Sequence, residues 1–221
     1  ANEGRPLMLG TLGGCPFIDA TLIADGKPNA DCSGFVAGST EWLRDAPPGT
    51  VVLGVWAAYM WLDGLGLQQP GGTPEFGEAE RVGIFHDSLA RSVRALVASG
   101  HDVVLLSPIP GFPEGRPDWK FWYPFQCPTV AALVSIDNCG AQSSLVNEQA
   151  VLASYRQVFS EVASTTGART MDLAPALCPN GTCRTNSGND WAYMDGQHVT
   201  VGESGRLAPV LAQALMGQAL M

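Results

Sequence analysis

Apolar and polar positions alternate along this chain with two different periods, and together they lay out its elements. Thr50–Val55 and Asp102–Leu106 are short, almost continuously apolar runs, the pattern of strands buried on both faces. Longer stretches carry the 3.6-residue spacing of amphipathic helices. Glu78–Ser99 is the clearest, with Val82, Phe85, Leu89, Val93, Leu96 and Val97 on one face and Gly100 at its end. Ser33–Asp45 is spaced in the same way through Phe35, Val36, Trp42 and Leu43, and stops at Pro47-Pro48-Gly49. Leu145–Thr166 is a further helix, stopped by Gly167. Ala168–Asp172 reads as a third strand and Leu207–Leu220 as a closing helix.

Shorter segments fill the gaps. Pro6–Leu12 reads as a strand that breaks into Gly13-Gly14, and Ala57–Leu67 as a short helix. Asp19–Ala30 and Gln68–Gly77 are turn-rich connections. Pro108–Pro128 is a long loop crowded with Trp119, Phe121, Trp122, Tyr123 and Phe125, suited either to stacking on a sugar ring or to packing as a lid. Strands alternating with long helices predict an α/β sandwich with a parallel sheet. No repeat or linker divides the 221 residues, so a single domain is expected. Ligands of such folds gather at the carboxyl ends of the strands. Gly13-Gly14, Trp56, Ser107-Pro108 and the loop around Asp195 would all lie on that rim.

Composition narrows the class. Hydrophobic residues make up 46% and charged residues 15%, which describes a globular chain rather than a disordered one. No apolar run is long enough to span a bilayer, so a soluble domain is expected. The net charge of −9 argues against nucleic acid as a partner, because Lys and Arg are too few to neutralise phosphates. The six cysteines fall as sequence-local pairs: Cys15 with Cys32, Cys127 with Cys139 and Cys178 with Cys183. Six cysteines allow many connectivities, and local pairing is the one we expect. Closing the Cys15–Cys32 loop would contribute roughly 3 kcal/mol in the chain-entropy model. Disulfides imply an oxidising compartment, periplasmic or extracellular. No CxxC occurs, and the other metal-type residues are scattered, so neither a metal site nor a cofactor is expected.

The candidate chemistry lies in Met194-Asp195-Gly196-Gln197-His198-Val199-Thr200. A carboxylate beside an imidazole fixes its tautomer and stabilises the imidazolium that forms when it takes a proton. His198 and Asp195 are therefore the candidate base and its orienting partner in a nucleophilic site. His86 lies on the long helix, where its neighbour Asp87 should point elsewhere, and His101 follows a helix-ending glycine; both read as structural. Ser107 is the best-placed serine, although a strand-end residue fixed by Pro108 explains it better. Ser33 lacks the strand–Ser–helix elbow of a hydrolase nucleophile.

Val51-Val52-Leu53-Gly54-Val55-Trp56-Ala57-Ala58-Tyr59, Leu105-Leu106-Ser107-Pro108-Ile109-Pro110 and Asp195-Gly196-Gln197-His198 occur in that order. With Cys15-Pro16 and the Cys178/Cys183 pair, they resemble the periplasmic SGNH-hydrolase-like domain fused behind membrane acyltransferases of the acyltransferase-3 type. The similarity runs through most of the chain, and Asp-x-x-His is its most specific element. The resemblance implies a three-layer α/β/α sandwich with a mainly parallel, flavodoxin-like sheet. It also implies O-acyl transfer, or ester hydrolysis, on an extracytoplasmic glycan, with His198 as general base and Asp195 as its partner. The partners implied are the glycan, an acyl donor and a membrane acyltransferase module in the same polypeptide.

Two departures accompany it. The family nucleophile lies in a Gly-Asp-Ser block upstream of the cysteine loop, and no Gly-Asp-Ser occurs here. Ala1–Pro6 is similar to the end of the helix that follows that block. The first strand and the nucleophilic Ser are therefore expected upstream of Ala1. Gly54-Val55-Trp56 stands where the family carries a Gly-x-Asn oxyanion block, and Trp cannot reproduce an Asn amide. The backbone N–H groups of Gly13 or Gly14 are oxyanion candidates, since glycine lets the backbone approach closely. The alternative is a carbohydrate-binding module that kept the fold and lost its nucleophile.

Overall fold

The computed structural model describes residues 7–60, 62–112, 122–130 and 135–215. The helix end expected at Ala1–Pro6, Trp119 and Phe121 of the aromatic loop, and residues 216–220 of the closing helix lie outside them. Helices and strands alternate in an α/β fold, as the pattern of apolar runs predicts.

Strands β1 (Thr21–Ala24) and β2 (Lys27–Pro28) form a hairpin, followed by helix α1 (Ala30–Asp45). The segment expected to be all turn thus holds a hairpin. Asn29 starts α1 three residues earlier than the periodicity suggests, its side chain accepting the Cys32 N–H at 3.0 Å. Strand β3 (Thr50–Gly54) forms as expected but is not buried on both faces, for only Leu53 is buried and Val52 is exposed. Its place accounts for this: β3 stands at one end of the parallel β3-β6-β8 sheet, with a partner on one side only among the described residues. Ala57–Leu67 is not one helix; it splits into a 3-10 turn (Ala57–Met60) and strand β4 (Leu65–Gln68), which pairs with β1 and with β5 (Pro74–Glu75).

Helix α2 (Glu78–Ala98) buries Phe85, Leu89, Val93 and Leu96 at the expected spacing, worth about 2 kcal/mol each. Gly100 ends it at φ +87°, which an L side chain rarely adopts, and the His101 N–H returns to the Leu96 carbonyl. Strand β6 (Asp102–Leu106) follows. Residues 7–12, expected as a strand, have no ladder partner among the described residues and are exposed.

Further along come strand β7 (Gln142–Ser144), helices α3 (Leu145–Val151) and α4 (Ala153–Thr166), and strand β8 (Arg169–Met171). The single helix expected over Leu145–Thr166 is interrupted at Leu152. After the one-turn helix α5 (Ala174–Leu177), strand β9 (Thr182–Arg184) pairs antiparallel with β7, and β10 (Asn186–Ser187) with β11 (Asp190–Trp191). Helix α6 (Val201–Leu215) closes the described chain and begins six residues before the expected start.

All three local disulfides form: Cys15–Cys32, Cys127–Cys139 and Cys178–Cys183. No helix among the described residues is long and apolar enough to cross a membrane. The chain divides into two compact units, Ala1–Leu105 with Val158–Arg169, and Leu106–Gln157 with Thr170–Met221.

Candidate active site

The second unit holds Asp195 and His198 at the tip of a tight hairpin. Its base is fixed by the buried Thr185, whose carbonyl accepts the N–H groups of both Ala192 and Tyr193 at 2.9 and 3.1 Å. Tyr193 and Val199 form a single antiparallel bridge, and the Met194 N–H meets the His198 carbonyl at 2.8 Å. Thr200 closes the hairpin and opens α6, its hydroxyl accepting the Glu203 N–H at 3.2 Å.

The four-residue tip makes an ordered acid–imidazole pair. Asp195 Oδ1 accepts the backbone N–H groups of Gln197 and His198, each at 2.7 Å. Its other oxygen, Oδ2, lies 2.8 Å from His198 Nδ1. An ionised carboxylate only accepts, so Nδ1 carries the hydrogen and Nε2 is left as the basic nitrogen. The Asp195 side chain is 20% exposed and that of His198 63%, so the anchor is sheltered while the imidazole faces solvent. With its tautomer fixed by the carboxylate, such an imidazole could take a proton at Nε2.

The other histidines differ. His101 is buried, with Nε2 2.6 Å from the Leu43 carbonyl and Nδ1 beside the Gly49 backbone, a structural role. His86 departs from the helical-wheel expectation, because its Nδ1 reaches the adjacent Asp87 carboxylate at 2.9 Å and Glu161 lies 3.7 Å from Nε2.

Ser107 is also in the second unit. It is buried just beyond β6, its N–H bonded to the Met171 carbonyl at 2.8 Å. The first unit holds Gly13, Gly14 and Trp56. Gly13 and Gly14 form an exposed turn, with Gly14 at φ +68° and open space where a Cβ would stand at either. The Trp56 ring meets the buried Tyr59 edge-on at 5.6 Å, and burial pushes the Tyr59 phenol up to about 12. Of the aromatic loop, Trp122 is buried against Trp191, whereas Tyr123 and Phe125 stack on each other at 5.0 Å with both rings exposed.

The sequence pattern did not single out the residues behind the hairpin. The Phe112 N–H donates to the Gly196 carbonyl at 2.6 Å, and the Gly111 N–H donates to the buried Glu148 carboxylate at 3.2 Å. Phe112 also meets Tyr193 edge-on at 5.0 Å. Burial, reinforced by the charges of Glu148 and Glu203, pushes the Tyr193 phenol far up. Glu148 reads in the sequence as an ordinary acid at a helix start, where the helix dipole favours one.

The periplasmic domain of a lipopolysaccharide acetyltransferase from Salmonella ser. Paratyphi A has a similar fold. The TM-score is 0.53 at 14% sequence identity, over 90% of this chain and 70% of that one. No curated protein sequence matches the chain. The model of one family, the SGNH domain fused to AT3 domains, matches residues 1–213, and the chain belongs to that family.

Proposed function

We propose that this domain handles the acyl group in O-acyl transfer, most simply O-acetyl transfer, to an extracytoplasmic glycan. The observation that carries the reading is the Asp195–His198 pair, with its carboxylate fixed by three hydrogen bonds and its imidazole largely exposed. Family membership supports the acyl chemistry and a membrane acyltransferase module in the same polypeptide. Three disulfides support an oxidising compartment.

In this mechanism a serine hydroxyl attacks the acyl-ester carbonyl and gives its proton to His198 Nε2, while Asp195 stabilises the imidazolium. Collapse of the tetrahedral intermediate returns that proton to the leaving alcohol and leaves an acyl-serine. A glycan hydroxyl then attacks the acyl-serine, loses its proton to His198, and regenerates the serine as the new ester forms. Water in place of the glycan gives hydrolysis. The serine this mechanism needs would come from a Gly-Asp-Ser block of the kind the family carries, which does not occur in these 221 residues. Ser107 is the in-chain alternative, but it is buried and bound into the sheet.

The same lack of Gly-Asp-Ser favours a second reading, a glycan-binding module without turnover. Acetyl release from an acetylated glycan by the native polypeptide separates the two. His198→Ala should lower kcat/KM by about 10²–10⁴-fold with folding unchanged. Full activity in that variant would remove His198 from the mechanism.

A further inference from the structure

We propose that Glu148 is a positioning residue for the Asp195–His198 pair, acting through the backbone of Gly111 and Phe112; this rests on the reading of that pair as a general base. Glu148 lies on α3, far in sequence from the hairpin, and its side chain is buried with 7% exposure. Burying a carboxylate is costly unless its oxygens are hydrogen-bonded. Its Oε2 accepts the Gly111 N–H at 3.2 Å, and that bond ties down the segment that follows β6.

The next residue transmits the constraint. The Phe112 N–H grips the Gly196 carbonyl at 2.6 Å, while its own carbonyl accepts the Trp122 N–H at 3.1 Å. A trans peptide is planar, and its C=O and N–H point in opposite directions. Holding the Gly196 carbonyl towards Phe112 therefore turns the N–H of the same peptide, that of Gln197, towards Asp195 Oδ1, where it sits at 2.7 Å. That bond fixes the carboxylate whose other oxygen orients His198. Close packing limits slack in the relay: a Cβ on Gly111 would lie 3.4 Å from the Gly196 carbonyl oxygen, and the Phe112 ring rests edge-on against Tyr193.

The sequence of contacts thus runs from the Glu148 carboxylate to Gly111 and Phe112, then to the Gly196–Gln197 peptide, Asp195 and His198. Its geometric consequence is specific. Removing the acceptor at 148 frees the peptide to rotate, so Asp195 loses one of its two backbone donors and the imidazole loses its single tautomer.

The test is ¹⁵N NMR of the histidine-labelled chain, which reads the tautomer at His198 directly, with three substitutions. Glu148→Gln keeps an acceptor for Gly111 and should leave the His198 signals as in the wild type. Glu148→Ala removes the acceptor, and Glu148→Asp retracts it by one methylene while keeping the charge. Both should move His198 to a mixture of tautomers and leave the buried His101 unchanged. Glu148→Asp serves if the alanine variant fails to fold. Wild-type His198 signals in folded Glu148→Asp would overturn the proposal, as would a Glu148→Gln spectrum as disturbed as that of Glu148→Ala. The spectrum reports geometry whether or not the polypeptide turns over substrate. Mixed tautomers in a Glu148→Asp polypeptide of undiminished turnover would therefore support the relay and count against His198 as the general base.

Discussion

At the scale of residues, Asp195 does three jobs with two oxygens. Oδ1 takes both backbone donors of its turn, and Oδ2 is left for the imidazole. Asp195→Asn keeps the shape but offers an amide where a carboxylate stood, so it favours the wrong tautomer and does not stabilise the imidazolium. Turnover should fall by up to about 10⁴-fold, the scale of that change in other serine sites, with little loss of stability. Activity against p-nitrophenyl acetate, together with a melting curve, checks this. Tyr59 gives a second prediction. Its folded value of about 12 lies above the ordinary 10. The stability this contributes is complete below pH 10. It is lost as pH rises towards 12, because the unfolded chain gives up the proton first. The loss should be on the order of 2 kcal/mol across that window, and Tyr59→Phe should flatten it in urea titrations at each pH.

At the scale of elements, the sequence made some parts legible and hid others for physical reasons. Helix α2 and strand β6 fall almost where the apolar spacing puts them, because they are buried and burial imposes a clean period. The exposed face of β3 departs from its apolar sequence, since exposure depends on neighbours that a run of valines does not encode. Helix α6 was hidden at its start by Gly202 and Gly205, which read as loop, and by Pro209 inside it. What decides its start is Thr200, which joins the hairpin to the helix through the Trp191 carbonyl at 2.9 Å and the Glu203 N–H. Thr200→Ala should cost about 1 kcal/mol, read as a shift in the urea midpoint, whereas Thr200→Ser should retain most of the stability. The Asp195–His198 pair was legible because both partners lie three residues apart in one turn. Glu148 and Phe112 were not, because they meet the turn through the backbone N–H groups of Gly111 and Phe112, which have no sequence signature.

At the scale of the whole molecule, three local disulfides, a parallel sheet and a family match over residues 1–213 describe an SGNH domain of the kind fused to AT3 domains. The Asp195–His198 pair, proposed as the acid–base half of a serine-type site, lies in one ordered turn of the second unit. In the proposed function this turn activates a serine. Labelling the native full-length polypeptide with a serine-reactive fluorophosphonate tests it most directly, in the wild type and in His198→Ala matched for melting temperature. The wild type should carry one labelled serine, and the variant should lose the label. An unlabelled wild type, or labelling that survives His198→Ala undiminished, would contradict the proposed function.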